Sequence, residues 1–390
     1  MLAHLGENLF PFWLENCPDR EYGGYVVVLD RDGSMLSGEK MLVTQARQVW
    51  TFSRMWRDGY RDPRIRDAAE LGFRFLVESF WDSAYEGWIW QVERDGTPSD
   101  MSKRTYGHAF VIYAMVEYYG AFGDREALRL ADLTFRTLER LAKDPDNPGY
   151  IDFMTREWEP DPEYDGHIKT MNTHLHLMEA FTELYLVTGS EQQRARLQEV
   201  VDILVGKCYQ PEYKCCIDGF LYDWTPAGPD DGYFGEHNVL TSYGHNVEFA
   251  WLLQRAAQAL EMPEGTYTQL GLGLIDHALQ YGWDEEAGAL CYEGPWAEPA
   301  TNRVIEWWTQ AESAVALDWA YTVTGDPRYL ATLREQVIWI LEKQSDPVYG
   351  GWFSTLNTEG KVISESKAHL WHGSYHDVRA CLNVGNGRWD

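Results

Sequence analysis

The stretch Thr241–Leu253 sets an imidazole beside a carboxylate. On a helix capped by Ser242, His245, Glu248 and Leu252 fall at i, i+3 and i+7 and share one face. An imidazole with its ordinary pKa near 6.5 takes and returns protons at neutral pH. A capped helix holding a His–Glu contact has the same pattern, so this stretch alone leaves a structural and a chemical reading open.

Comparable groups recur near the starts of other apolar segments. Arg47 follows Gln45-Ala46, and Tyr106 and His108 open Thr105–Phe110. Asn172 and His176 stand at i and i+4, as do Trp308 and Glu312, while His376 and Arg379 stand at i and i+3. If their helices form one ring, these residues converge on a single cavity. A carbon acid next to a carbonyl needs a base, together with donors that hold the developing enediolate oxygens. Arg47 and Arg379 suit the second role. Two bases on opposite faces of the carbon would invert it.

Other chemistries find less support. His174 and His176 are two apart and face away from each other on a helix, and no His-Glu-x-x-His occurs. His369, His372 and His376 resemble a metal spacing, but Gly373 interrupts it. No Gly-x-Gly-x-x-Gly, phosphate-binding loop or Gly-x-Ser-x-Gly elbow is present. Neither metal nor cofactor is expected.

The elements that must position these groups show an internal repeat. A Gly-aromatic signature recurs around Gly24, Gly87, Gly149, Gly219, Gly288 and Gly351, at spacings of 63, 62, 70, 69 and 63 residues. Each unit carries two helical patterns. They cover 3–15, 43–57, 64–79, 105–121, 125–142, 168–187, 191–207, 242–260, 265–281, 307–323, 327–344 and 373–384, with a short strand at Tyr25–Leu29. Ser190 is a candidate helix cap, and Pro327 suits a first helical position. Twelve helices in six hairpins, with no polar capping repeat at either end, predict an all-α (α/α)6 barrel with short β segments at one end. No linker divides the chain, so residues 1–390 read as one domain.

Composition disfavours several partners without identifying a substrate. A formal charge of −28 argues against nucleic acid and anionic membranes. The 18 Trp and 23 Tyr suit a large core and the flat faces of sugar rings. No run reaches the roughly 18–20 apolar residues of a membrane span, and the first residues lack a secretory pattern. Six cysteines form neither a disulfide framework nor a zinc spacing. A cytoplasmic monomer or homodimer is expected.

As an ordered set, these motifs resemble the N-acylglucosamine 2-epimerase superfamily, most closely its cellobiose and mannose 2-epimerase branches. The resemblance runs through Glu21-Tyr-Gly-Gly-Tyr25, Gln45-Ala-Arg47, Thr105-Tyr-Gly-His108, Asn172-Thr-His-Leu-His176, Ser242-Tyr-Gly-His245 with Glu248, Trp307-Trp308 with Glu312, and Tyr375-His376 with Arg379. It implies an (α/α)6 barrel and cofactor-independent rearrangement at C2 of a reducing sugar. His245 and His376 match the general acid/base pair, and His176 matches a third histidine associated with the ring or its opening. Arg47 matches the arginine at the reacting oxygens. Tyr106, Asn172, Glu248, Trp308, Glu312 and Trp371 match positions that line or support the sugar site. Glu248 would orient His245 or hold a sugar hydroxyl.

Departures leave the choice between monosaccharide and disaccharide open. Leu370-Trp-His-Gly-Ser-Tyr-His376 has His372 and Ser374 where Trp-Lys-x-Pro-Tyr-His is usual, and His108 stands where Gln is common. An aldose–ketose isomerase would use the same enediolate. An (α/α)6 glycoside hydrolase would instead use Glu248 and Glu312, and a sugar-binding scaffold would use none of these groups chemically.

Overall fold

A computed structural model describes residues 1–162, 166–364 and 366–389. Among the described residues twelve helices form two concentric rings. In chain order, α1 runs through Leu2–His4, a π-helical stretch Leu5–Leu9 and Phe10–Asn16. Then come α2 (Leu42–Arg57), α3 (Pro63–Phe75, extended by Leu76–Phe80), α4 (Thr105–Phe122) and α5 (Arg125–Leu141). These are followed by α6 (Met171–Thr188), α7 (Glu191–Ile203, extended by Leu204–Cys208), α8 (Tyr243–Ala259) and α9 (Thr268–Tyr281). The last are α10 (Trp307–Thr324), α11 (Pro327–Trp339, extended by Ile340–Gln344) and α12 (Tyr375–Asn386). The even-numbered helices form the inner ring: α2 packs on α4, α4 on α6, and so around to α12, which closes on α2. This is the (α/α)6 barrel expected from the repeat.

Burial explains the two rings. In α4 every residue from Gly107 to Tyr118 is buried, because the barrel interior covers one side and the outer ring the other. In α5 the buried residues Ala127, Leu130, Ala131, Thr134, Phe135 and Leu138 form one stripe, and the opposite face meets solvent. Asp62, Asp124 and Asp326 cap outer helices by accepting the N–H two residues on, and Pro327 does hold a first helical position. Ser190 stands at the N-cap of α7, but its side chain makes no capping bond.

The differences from the sequence reading are local. Residues 168–170 are a strand rather than the start of α6, because Thr170 is extended and its hydroxyl caps Thr173 N–H. The helix read over 265–281 begins at Thr268. Of the strand read at Tyr25–Leu29, only Val28–Leu29 is a strand, paired with Met35–Ser37. Among the described residues no helix is long and apolar enough to cross a membrane.

The recurring Gly-aromatic motif is a small hairpin that pins an inner helix. Tyr25 N–H donates to Gln45 Oε1 (2.8 Å), Trp88 N–H to His108 Nε2 (2.9 Å) and Tyr150 N–H to His174 Nε2 (3.1 Å). Cys216 N–H donates to Asn246 Oδ1 and Leu290 N–H to Gln310 Oε1, each at 3.0 Å. The fourth and fifth repeat markers are therefore Cys215 and Ala289 rather than Gly219 and Gly288. Glycine is required at Gly87 and Gly149 in particular: φ is 75° and 86°, and a Cβ would lie 2.8 Å from His108 Nε2 and 2.6 Å from His174 Nε2.

Four of the six hairpins, those that begin with Asp19, Asp82, Asp144 and Asp346, are also stapled by a buried lysine–aspartate ion pair that the motif search did not reveal. Lys40 Nζ meets Asp19 at 3.0 Å, Lys103 meets Asp82 at 3.2 Å, Lys169 meets Asp144 at 2.7 Å and Lys367 meets Asp346 at 2.8 Å. Arg303 takes the lysine's place opposite Asp284. These staples hold the hairpins over the N-terminal ends of the inner helices, where the candidate site lies.

Candidate active site

A cavity of about 540 Å³ opens at that end. Nine of the eleven site residues read from the sequence line it: Arg47, Tyr106, Asn172, His176, His245, Glu248, Trp308, Trp371 and His376. They come from all six inner helices and from the loop before α12. Glu312 and Arg379 do not line it; they are buried behind its wall.

The three histidines stand in different settings. His376 Nδ1 bonds Glu312 Oε1 at 2.6 Å, and Trp251 Nε1 donates to the other Glu312 oxygen at 3.0 Å. His176 Nδ1 bonds Glu179 Oε2 at 2.9 Å. In both, a carboxylate accepting from Nδ1–H leaves the Nε2 lone pair to face the cavity. His245 has no carboxylate on its ring among the described residues; it packs 4.7 Å from Trp308, whose other neighbour His376 is 6.0 Å away. The i, i+3 spacing of His245 and Glu248 does not make a pair. Glu248 Oε1 instead accepts from Arg379 Nη2 at 2.8 Å, while Glu248 Oε2 is buried without a hydrogen-bond partner among the described residues.

Arg379 is the hub of the wall behind the cavity. Its Nη2 also donates to Glu312 Oε1 at 2.7 Å, its Nη1 reaches Glu179 and Tyr375, and its guanidinium lies 4.3 Å from the centre of the Tyr375 ring. Arg47 is the cation at the cavity surface, with Nη2 donating to Tyr106 Oη at 3.0 Å and Nε unpartnered.

Burial sets the charge states. It pushes His245 down to about 3 and His376 well below the imidazole range, and the charge of Arg47 adds to both. Burial and then the neighbouring negative charge of Glu312 push Glu248 well above the carboxylate range. Burial alone would raise Glu179 too, but Arg379 and the His176 bond outweigh it and hold Glu179 at about 2. Asp218 and Glu306, two cavity carboxyls, are raised by burial to about 6 and about 7.

Other histidines with a chemical look are structural. His108 and His174 each bond a backbone carbonyl one turn back through Nδ1 and a hairpin N–H through Nε2, so they point away from the cavity. His372 bonds Ser354 and stacks on Trp307 at 4.1 Å. The donor atoms of Glu248, Glu312 and His376 do lie within 4.8 Å of one another. Arg379 already sets a positive charge between the two carboxylates. That shared arginine also argues against a glycosidase pair, which must flank a bond about 5 Å or more apart.

Sequence reasoning missed Glu179, Tyr375 and Trp251 behind the wall, and Asp218, Tyr233, Phe234, Tyr292, Glu306, Thr355 and His369 along it. Glu179 left a legible signal, since His176-x-x-Glu179 has the same spacing as His245-x-x-Glu248, and Tyr375 and His369 stood within motifs without being assigned to the site.

The chain is 29% identical to the cellobiose 2-epimerase of Bacteroides fragilis, over 98% of this chain and 97% of that protein. The cellobiose 2-epimerase structure from Bacillus thermoamylovorans B4167 superposes with a TM-score of 0.89 at 28% identity, covering 98% of this chain and 97% of the other. That from Spirochaeta thermophila DSM 6192 gives 0.87 at 31% identity, with 98% and 94% covered. The sequence profile of N-acylglucosamine 2-epimerase (GlcNAc 2-epimerase) matches residues 23–380. The chain thus belongs to the N-acylglucosamine 2-epimerase family of epimerases and isomerases.

Proposed function

We propose that this enzyme is a cofactor-independent sugar 2-epimerase. It inverts C2 of a reducing-end glucose or mannose unit, in a cellobiose-type β-1,4-disaccharide or as the free sugar. The observation that carries this reading is that His245 and His376 both lie against Trp308, with ring centres 4.7 and 6.0 Å from it, and line one cavity with Arg47. The resemblance of the whole chain to cellobiose 2-epimerases supports the substrate class.

The reaction follows from these groups. The sugar ring opens to the aldehyde, with His176 beside the ring oxygen. One imidazole of the His245/His376 pair takes the C2 proton, and Arg47 holds the negative charge that spreads over the cis-enediolate oxygens. The other imidazole returns a proton to the opposite face; burial disfavours its charged form in the empty cavity, and the negative charge developing on the enediolate favours it. The enzyme ends with the charge on the first imidazole, so the reverse reaction uses the same groups in exchanged roles. Glu248 Oε2 is placed to bond a sugar hydroxyl.

The deciding experiment incubates the protein in D2O with glucose, mannose, cellobiose and lactose and reads the products by NMR. Deuterium at C2 of the inverted sugar is the expected result. Ketose signals with label at C1 would replace the epimerase reading by the isomerase one, and no exchange on any sugar would end both.

A further inference from the structure

Glu179 lies one helical turn after His176 on α6, behind the cavity wall. Its Oε2 accepts from His176 at 2.9 Å; its Oε1 accepts from the Tyr375 hydroxyl at 2.6 Å and from Arg379 Nη1. Arg379 Nη2 continues to Glu312 Oε1, the oxygen that also bonds His376 Nδ1 at 2.6 Å. An unbroken run of bonds therefore joins two imidazoles on different helices: His176, Glu179, Arg379, Glu312, His376. Its three inner members are buried. The other titratable groups that interact with Glu179 are Tyr106 and Tyr113 on α4 and Glu248 on α8, while Arg47 on α2 acts on His176.

A guanidinium does not release its proton in a protein, so this run cannot pass a proton from end to end. It can pass orientation and charge. When His176 gains a proton, Glu179 is drawn to the imidazolium and its hold on Arg379 loosens. Arg379 then binds Glu312 more tightly, and Glu312 is less able to support a second imidazolium at His376. We propose that Glu179 is a positioning residue that acts through Arg379 to couple His176 to His376, so that a proton on one disfavours a proton on the other. This rests on the epimerase reading only for its purpose, which is to keep an acid and a base present together around one sugar.

The test is Glu179→Gln, in which an amide N–H₂ meets donors on His176 or Arg379. Imidazole titrations followed by ¹⁵N NMR need no substrate. The expected result is that His376, which Glu179 does not touch, titrates lower by about 0.5 pH or more, along with His176. A shift confined to His176 would overturn the coupling. In turnover, kcat should fall about 100-fold with KM within about threefold. Glu179→Gln combined with Glu312→Gln should be about as slow as the slower single variant; multiplied losses would also overturn it.

Should Glu179→Gln fail to fold, Tyr375→Phe removes one donor and leaves the charge. Both histidines should then titrate higher together, and movement of neither would count against the proposal. Lack of C2 exchange in the wild-type protein would overturn the epimerase reading, while the substrate-free titrations would still decide the coupling.

Discussion

His108 Nε2 accepts the backbone N–H of Trp88 at 2.9 Å, while its Nδ1 bonds Arg104 O at 2.7 Å. Gln45, His174, Asn246 and Gln310 receive the corresponding hairpin N–H in their own repeats. A histidine that sits in a motif beside cavity residues is thus one of a set of structural acceptors. His108→Gln should keep stability and activity, because glutamine already does this job twice. His108→Ala should lose about 1–3 kcal/mol by stranding a buried N–H, read as a lower Tm with C2 exchange retained below it.

The cavity histidines should behave oppositely. His245→Ala and His376→Ala should each slow C2 exchange by about 10²–10⁴-fold with little change in Tm or circular dichroism. In His376→Ala, Glu312 keeps its bonds from Trp251 and Arg379, so the wall survives. Either variant exchanging at the wild-type rate would remove that residue from the proposed pair.

Arg379→Met should be both inactive and unstable. It leaves Glu179, Glu248 and Glu312 buried without their shared cation, a loss of about 3–5 kcal/mol for a broken buried network. Denaturant titration beside the exchange assay would show it. A stable, inactive variant would mean that these carboxylates take up protons cheaply.

The hairpin staples predict acid lability. Burial raises the carboxyls of Asp19, Asp82, Asp144 and Asp346, but their lysine and arginine partners and turn N–H groups outweigh it and hold each below the usual range. Stability from such groups is complete above the ordinary Asp value near 3.9 and is lost as pH falls through the lower folded values. Melting curves should therefore be flat from these groups above about pH 5 and drop steeply below about pH 4. Asp82→Asn should shrink that drop.

Trp371 offers a probe of substrate size. It is exposed at the cavity rim, 6.0 Å from Trp90 and 6.1 Å from Tyr106. Trp371→Ala should raise KM for cellobiose about tenfold, the worth of one aromatic contact, and change KM for mannose far less. Equal effects on both would place Trp371 against the reacting ring.

What the sequence determined by itself is what local periodicity carries. Helix faces repeat every 3.6 residues and the hairpins recur every 62 to 74 residues, so the double ring and nine residues of the cavity were legible from spacing and resemblance. The fourth and fifth hairpins were misplaced, because Cys215 and Ala289 stand where the other copies have glycine, and a backbone hydrogen bond does not depend on the side chain above it. Pairing was decided only by the tertiary structure. His245-x-x-Glu248 and His176-x-x-Glu179 have identical spacing, yet only the second is bonded, since Arg379 claims Glu248 Oε1 from 131 residues away. A single guanidinium shared by carboxylates on three helices leaves no periodic trace. It exists because the ring brings α6, α8, α10 and α12 to one axis, where buried charges must find partners wherever in the chain those partners lie.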